Sequence, residues 1–561
     1  MSILSPIAVA IEVFIEMFIP YLMGILIDNG IMKGNMTEVA RLGFILLAMT
    51  IVSLVCGAAA SYFSATAAAG FAANLRKDMY YHIQDYSFEN IDKFSSSSLV
   101  TRLTTDVNNI QLAYQMSIRI AVRAPLMLIF SIIMAFIVNA KLSIVFVVLA
   151  PIMGILLGLI IRMAFPYFPK IFRAYDRLNR TVRENVRGVR EVKTFVHEQE
   201  QIDKFKKSSR TIYRLFSGAV KIMSLNAPVM IFIIDASMLL ISWFGALLII
   251  GHQMQAGQLV SMFSYSNSIL FALNILAMIF TQLAMSTASG RRVAGVIAEK
   301  PTITNPYQEP VKEVNNGDVV FDHVYFKYEK DSQHYVLDDI NLHIKPGETI
   351  GIMGETGSSK TTLVSMIPRL YDTTGGAVRV AGHNVRSYDL KTLRDNVAMV
   401  LQNNVLFTGT IKDNLKWGNE QASDEEIIRA AKIAHADDFI REFKDGYDTQ
   451  IEQGGNNVSG GQKQRITIAR ALLKKPKILI LDDSTSAVDT KTERAIRTAL
   501  QEDLPETTKI IISQRIVSIK EADRIVVMDH GKIQDIGTHA ELLKKNKLYA
   551  SIAKFQEENR K

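Results

Sequence analysis

Long apolar segments alternate with charged stretches through the first 300 residues of the chain. Six segments are long enough for membrane-crossing helices, since about 20 apolar residues span the hydrocarbon core of a bilayer. They are residues 3–27, 42–73, 118–138, 142–161, 227–250 and 258–283. An even number of spans predicts that both ends of this half lie on the same side of the membrane.

The second apolar segment carries no charge between Leu42 and Leu75. A helix of this length extends roughly 50 Å, at about 1.5 Å per residue, against about 30 Å of hydrocarbon. Its far end is rich in alanine and serine, which suits close helix packing. We therefore predict that this helix continues out of the membrane and stays packed against other helices.

Basic residues are concentrated in the long connections after the second and fourth segments, most densely between Arg162 and Lys221. Short connections, which carry few basic residues, follow the first, third and fifth segments. Lysine and arginine are enriched in cytoplasmic loops of membrane proteins. The pattern predicts that the long connections and both termini are cytosolic.

Composition supports a membrane half joined to a polar half. Hydrophobic residues make up 48% of the 561 residues and the mean hydropathy is +0.15, yet 21% of residues are charged. The net charge of +8 follows the placement of cytosolic basic residues, so we expect no nucleic-acid partner. A single cysteine, Cys56, provides neither a disulfide framework nor zinc-ligand spacing.

Three carboxylates fall inside the apolar segments: Glu12, Glu16 and Asp235. Intramembrane carboxylates are costly and usually face a cavity or a partner. One interpretation is a cavity that accepts cationic, amphipathic cargo. The alternative is pairing with Arg119 or Arg123 of the third segment, or extension of the carboxylates to the membrane interface.

The chain changes character after Glu299. Proline, asparagine and glycine become frequent, which is typical of a linker, and strand-like alternation follows. We predict a six-helix transmembrane domain with long cytosolic extensions (1–300), a linker (301–316) and an α/β domain (317–561).

A glycine-rich loop organises the second half. An apolar, strand-like run ends at Met353, and a helix-like run begins at Leu363. Strand, glycine-rich turn and helix form the context of a P-loop, whose backbone N–H groups hold phosphates, so we predict that residues 317–561 form an α/β P-loop ATPase domain. The predicted nucleotide-binding residues are Gly354, Glu355, Thr356, Gly357, Ser358, Ser359, Lys360, Thr361 and Thr362.

Within this loop we assign Lys360 to the phosphates and the Thr361 hydroxyl to Mg²⁺. Ser359 stands where a glycine normally precedes the lysine. Its Cβ lies where the backbone must approach phosphate closely, so we expect perturbed nucleotide geometry.

Further motifs follow in order. An apolar strand ends in Asp482 and Asp483, which is a Walker B pattern with Asp482 at Mg²⁺. Gln402 follows another strand and could serve Mg²⁺ or the attacking water. Tyr328, upstream of the loop, could stack on adenine or simply pack its strand. Another buried strand ends at Gln514.

A second phosphate-binding surface is predicted at a helix start, at Ser459, Gly460, Gly461 and Gln462. It has no lysine, so it is not another Walker A site. It fits a role in completing a site on a neighbouring molecule.

With these motifs in order, the chain resembles the ATP-binding cassette exporter family over nearly its whole length. The resemblance implies a half-transporter in the cytoplasmic membrane of a bacterium, with its ATP-binding domain in the cytosol. It implies that two such domains dimerise head to tail. ATP and Mg²⁺ then lie between the glycine-rich (Walker A) loop of one domain and the signature segment, residues 458–462, of the other. It also implies that Tyr328 stacks on adenine and that the two cytosolic excursions are coupling loops.

Three residues depart from the family pattern. Asp483 stands where the family usually has the general base Glu, Gln514 where it has His, and Ser359 where it has Gly. Asp is one methylene shorter than Glu, and a misplacement of about 1 Å can cost on the order of 10²-fold in rate. Gln cannot exchange a proton as His does. We expect this site to bind MgATP and to hydrolyse it slowly.

The signature segment is intact, whereas the catalytic positions Asp483 and Gln514 are weakened. In this combination the chain is similar to the degenerate-site subunit of bacterial heterodimeric multidrug exporters. The expected partners are a second half-transporter, membrane lipid and an amphipathic small molecule. The alternatives are a homodimeric exporter of lipid, peptide or glycan, and an ATP-gated channel or regulatory subunit. Uphill transport would favour an exporter, and conductance gated by ATP would favour a channel.

Overall fold

The computed structural model describes residues 1–306, 309–329 and 331–558. Tyr307 and Gln308 of the predicted linker, and Lys330 and residues 559–561 of the predicted ATPase domain, lie outside the described residues. The chain folds as two compact units. The first comprises Met1–Gln84 and Ser96–Ala298, and the second comprises Asp85–Ser95 and Glu299–Lys561.

Helices account for nearly all of the first 298 residues. They are α1 (Leu4–Ile25), α2 (Met36–Gln84), α3 (Phe88–Phe94), α4 (Ser96–Thr101), α5 (Val107–Val138), α6 (Ala140–Ala164), α7 (Tyr167–Arg187), α8 (Val189–Thr194), α9 (Glu198–Met223), α10 (Asn226–Ile250) and α11 (Ala256–Ile297). Short π-helical turns, Leu26–Ile31 and Arg102–Asp106, continue α1 and precede α5.

Six helical stretches in the described residues are long and apolar enough to cross a membrane, which confirms the six predicted spans. They are Leu4–Ile31, Met36–Gln84, Ser96–Val138, Ala140–Arg187, Glu198–Ile250 and Ala256–Phe280. The second is a single helix of 49 residues, longer than a bilayer requires. Buried apolar residues of α1, α5, α6, α10 and α11 form the core of this unit.

Two of the three intramembrane carboxylates form an ion-pair cluster within this unit. Arg123 Nη1 lies 2.5 Å from Glu12 Oε1, and Arg123 Nη2 lies 2.6 Å from Glu16 Oε2. Of the two interpretations, the structure has the pairing with Arg123. Asp235, on α10, is exposed.

The second unit is built on a six-stranded sheet with the order β12–β11–β3–β10–β9–β6. All strands but β12 run parallel. Every residue of β3, β9 and β10 is buried, as expected for parallel strands covered on both faces. The strands of this sheet are β3 (Thr349–Gly354), β6 (Val397–Val400), β9 (Ile478–Asp482), β10 (Thr508–Ile512), β11 (Arg524–Asp529) and β12 (Lys532–Gly537).

A four-stranded antiparallel sheet with the order β2–β1–β4–β5 packs in the same unit. Its strands are β1 (Val319–Phe326), β2 (Leu337–Ile344), β4 (Gly375–Val380) and β5 (His383–Asn384), and β7 (Gly409–Thr410) pairs with β8 (Gln450–Ile451). The helices are α12 (Lys360–Ser365), α13 (Leu390–Asn396), α14 (Ile411–Lys416), α15 (Asp424–Ile433), α16 (Asp437–Glu442), α17 (Gly460–Leu473), α18 (Thr490–Asp503), α19 (Ile516–Ile519), α20 (His539–Lys545) and α21 (Lys547–Glu558). Strands followed by a P-loop and helices confirm the predicted α/β class.

Helix α3, from the first predicted cytosolic excursion, belongs to the second unit. Asn90 Nδ2 donates to Glu299 Oε1 at 3.0 Å, and the Tyr371 hydroxyl donates to Asp92 Oδ2 at 2.6 Å. The ring of Phe88 contacts the ring of Tyr371 edge to face, at 6.0 Å. These polar and aromatic contacts join the excursion to the α/β fold.

Candidate active site

The glycine-rich loop joins the end of β3 at Gly354 to the start of α12 at Lys360. The buried ammonium of Lys360 donates to the carbonyl oxygens of Gly354 (2.9 Å) and Glu355 (2.7 Å), and to Ser358 Oγ (3.1 Å). Burial lowers the pKa of Lys360, although the neighbouring Asp482 and Asp483 carboxylates oppose that shift. The loop therefore wraps around its lysine, with the charge held inside the turn.

Ser359 adopts a left-handed backbone conformation, with φ of 71° and ψ of 23°. An L-residue in this region costs roughly 1–2 kcal/mol, whereas glycine adopts it readily. The sequence predicted a steric effect of the Ser359 Cβ on bound phosphate. The structure adds a second effect, because the loop requires a conformation that serine adopts with strain.

A cavity of about 360 Å³ opens beside this loop. Its lining brings together predicted residues from five parts of the second half of the chain. The lining residues are Tyr328, Val336, Thr356, Gly357, Ser359, Lys360, Thr361, Thr362, Gln402, Asp482, Asp483, Ile512 and Gln514. Gly354, Glu355 and Ser358 lie in the loop itself, where they hold the lysine.

Asp482 ends β9 with its side chain buried. Its Oδ2 atom has no hydrogen-bond partner in the part of the chain that the structure describes. Burial raises the pKa of Asp482, and the nearby Thr361 hydroxyl partly offsets that shift. A buried carboxylate oxygen without a partner fits a divalent cation, so Asp482, Thr361 and Gln402 are the residues that would hold Mg²⁺.

Asp483 and Gln514 meet at the same edge of the sheet because β3, β10 and β9 are parallel neighbours. The Asp483 backbone, with φ of 45°, donates from N–H to the carbonyl of Ile512 at 3.0 Å. Burial raises the pKa of Asp483, and the charges of Arg515 and Lys360 act against that rise. These positions can orient water and nucleotide, but the carboxylate is short and the amide exchanges no proton.

Tyr328 lines the cavity with 47% of its surface exposed. Its ring meets Phe326 edge to face at 4.9 Å and Tyr371 at 5.3 Å. Its hydroxyl lies 2.9 Å from Thr362 Oγ1 of α12. The two interpretations of Tyr328 are thus compatible, since the ring packs against Phe326 at the end of β1 and still borders the cavity.

The predicted signature segment lies elsewhere on this unit. Ser459 caps α17, with Oγ accepting from the Gln462 N–H at 3.2 Å and Gln462 Oε1 accepting from the Ser459 N–H at 2.9 Å. A Cβ on Gly461 would come within 2.8 Å of the Ala487 carbonyl oxygen, so the chain needs glycine there. Ser459 and Gly460 are exposed, and the described lining of the cavity includes none of Ser459–Gln462.

Several residues around the cavity went unnoticed in the sequence. Val336 and Ile512 line it, but apolar strand residues give no chemical signal. Arg515 Nη2 donates to the Ser486 carbonyl at 3.0 Å, beside the loop after Asp483. An arginine directly after Gln514 could have been singled out on its charge alone.

Comparison with known proteins agrees with this architecture. Residues 2–273 match the family described as ABC transporter transmembrane region, and residues 337–486 match the family described as ABC transporter. An uncharacterised ABC transporter ATP-binding protein of Bacillus subtilis, YfiB, is 35% identical over 99% of this chain and 96% of its own length. An ATP-dependent lipid A-core flippase of Yersinia pestis is 30% identical, over 99% of this chain and 95% of its own length.

A solved structure of a bacterial Atm1-family ABC exporter with ATP bound has the same fold. It superposes with a TM-score of 0.82, covering 99% of this chain and 97% of that one, at 22% identity.

Proposed function

The chain belongs to the ATP-binding cassette exporters, and from that premise we propose that it is the slow-site half of a heterodimer exporting amphipathic compounds, drugs among them. Members of this family are multi-pass membrane proteins with a cytosolic ATPase that drives transport, and they work as dimers. The proposal concerns the asymmetry of the ATP sites, the second subunit and the cargo.

One observation carries the proposal: Asp483 and Gln514 stand together in the cavity where a longer carboxylate and a proton-exchanging imidazole would be needed. A carboxylate that is one methylene too short leaves its water out of reach, at a cost on the order of 10²-fold per ångström. Ser359 adds strain in the phosphate loop. The Asp483 and Gln514 positions together favour a site that holds nucleotide and hydrolyses it slowly.

The signature segment at the start of α17, which lies outside this cavity, supports a different role. Ser459 keeps its helix-capping geometry, and Gln464 ties α17 to the loop after β9 through Ser486 Oγ (3.2 Å) and the Ala487 N–H (3.0 Å). An exposed, well-formed helix N-terminus is suited to the phosphates of a nucleotide bound by another chain. We infer that a competent subunit supplies Glu and His, while this chain lends its signature.

The test is purification of the affinity-tagged chain from its native membranes. We expect a second, different half-transporter in equal amount, and ATPase activity that the tagged chain lacks when assembled only with itself. Substituting Ser459→Arg in this chain should abolish the activity of the pair. Brisk ATP turnover and uphill transport by the chain assembled only with itself would overturn the proposal.

A further inference from the structure

The membrane unit contains an apolar cavity of about 580 Å³ among α6, α7, α10 and α11. Four phenylalanines form much of its wall: Phe165, Phe168, Phe172 and Phe280. None of the described lining residues is ionisable. The paired Glu12 and Glu16 are not part of this wall, and Arg123 already engages both.

Three amide side chains, Asn226, Asn274 and Gln282, enter the same cavity. All three are half-buried, and none has a side-chain hydrogen-bond partner among the described residues. Asn267, on the same helix as Asn274 but outside the cavity, is exposed and donates to the Phe263 carbonyl at 3.2 Å. Half-buried amides that bond to no described side chain or backbone group are available to hydrogen-bond with a ligand in the cavity.

We propose that this cavity receives the cargo as an uncharged amphipathic molecule. Its apolar or aromatic body packs on the phenylalanine rings, and its polar groups hydrogen-bond to Asn226, Asn274 and Gln282. The assignment rests on the proposed exporter function and adds the charge class of the cargo. An amide side chain both donates and accepts, so hydroxyl, carbonyl and amide groups all find a complement.

The proposed cargo is uncharged, whereas the intramembrane carboxylates in the sequence suggested a cationic cargo. A buried ion without a countercharge loses its hydration, at a cost far above that of a neutral polar group. Phenylalanine faces attract a cation by about 0.5–2 kcal/mol, which does not offset that loss. The wall thus selects against either sign of charge.

The test is a binding titration with three ring systems of the same size. The full chain, with its co-purifying partner, is placed in lipid nanodiscs without nucleotide, and fluorescence anisotropy is read against empty nanodiscs. The probes are neutral acridone, cationic N-methylacridinium and anionic acridine-9-carboxylate. We expect acridone to bind at least tenfold tighter than either ion, and equal or tighter binding of an ion would overturn the assignment.

Variants locate the binding within the cavity. Asn274→Leu should weaken acridone binding about fivefold or more, the loss expected for one hydrogen bond. Asn267→Leu is the matched control and should leave binding unchanged. Asn274→Asp should reverse the preference toward N-methylacridinium. Equal effects of the two leucine variants, or no reversal with Asp, would overturn the assignment.

These outcomes are independent of the ATP sites, because binding is read without nucleotide. Selective acridone binding without uphill transport would defeat the exporter proposal and leave the cavity assignment standing. Uphill transport of charged compounds, with no selective acridone binding, would do the reverse.

Discussion

The side-chain amide of Gln556, near the end of α21, donates from Nε2 to the backbone carbonyl of Gln514 at 2.7 Å. The same amide accepts from the N–H of Ile516 at 2.9 Å through Oε1. One side chain of the last helix therefore holds the backbone on both sides of Arg515. The position of Gln514 therefore depends on a side chain 42 residues further along the chain.

Gln556→Leu removes both hydrogen bonds while keeping a side chain of similar size. We expect a loss of about 2 kcal/mol of stability, at about 1 kcal/mol for each of the two bonds, and a lower midpoint of thermal unfolding. The control is Glu557→Leu on the same helix, whose side chain is exposed. Equal midpoints for the two variants in detergent-solubilised full chain would contradict the role given to Gln556.

Ser359→Gly should relieve the left-handed strain of the phosphate loop. Roughly 1 kcal/mol of relief should appear as a higher midpoint of thermal unfolding, because the fold itself holds the loop in this conformation. Ser359→Ala separates the causes, since it removes the hydroxyl and keeps the Cβ. A gain from alanine equal to the gain from glycine would show that the hydroxyl, and not the backbone, is responsible.

Asp483→Glu combined with Gln514→His should raise ATP hydrolysis at this site in the proposed heterodimer, by up to about 10²-fold. The longer carboxylate reaches the water, and the imidazole restores proton exchange. Single-turnover hydrolysis, measured with the partner's own site inactivated, isolates the effect. No gain in the double variant would contradict our account of the defect.

Asp482→Asn should stabilise the protein without nucleotide and abolish its stabilisation by MgATP. Burial raises the pKa of Asp482 in the fold, so protonation favours the folded state. That contribution is complete below the ordinary carboxyl pKa and is lost as the pH rises through the raised value. The stability advantage of the asparagine variant should therefore grow as the pH rises above the ordinary carboxyl pKa of about 4, and should level off above the raised pKa.

Thermal unfolding with and without MgATP at several pH values checks this prediction. Wild-type protein should also bind MgATP more weakly as the pH falls, because a proton competes with the metal for Asp482. An advantage of the asparagine variant that does not change with pH would rule out titration of Asp482 as its cause.

Arg123→Leu should prevent stable folding, because it leaves Glu12 and Glu16 unpaired within the membrane helices. Breaking a buried ion pair from one side costs about 3–5 kcal/mol. Arg119→Leu, one turn away, is the control, since Arg119 has no ion pair among the described residues. The fraction of monodisperse protein after detergent extraction is the measurement, and replacing Glu12, Glu16 and Arg123 together with Gln should recover it.

Much of this molecule followed from sequence alone, because its signals are local. Apolar segments of spanning length predicted the six membrane helices, and the run from Leu42 to Leu75 predicted the over-long α2. The glycine-rich loop between strand and helix predicted the P-loop context around Lys360. Each of these depends on residues that are neighbours in the chain.

Tertiary structure alone decided the relationships between distant segments. The sequence around Ser359 does not predict that this residue has φ of 71°, because that value follows from how β3 and α12 are fixed in the fold. Gln556 meets Gln514, and Asn226 shares a cavity with Asn274, only because helices far apart in sequence pack together. Such contacts depend on the packing of whole faces, which local patterns of polarity do not encode.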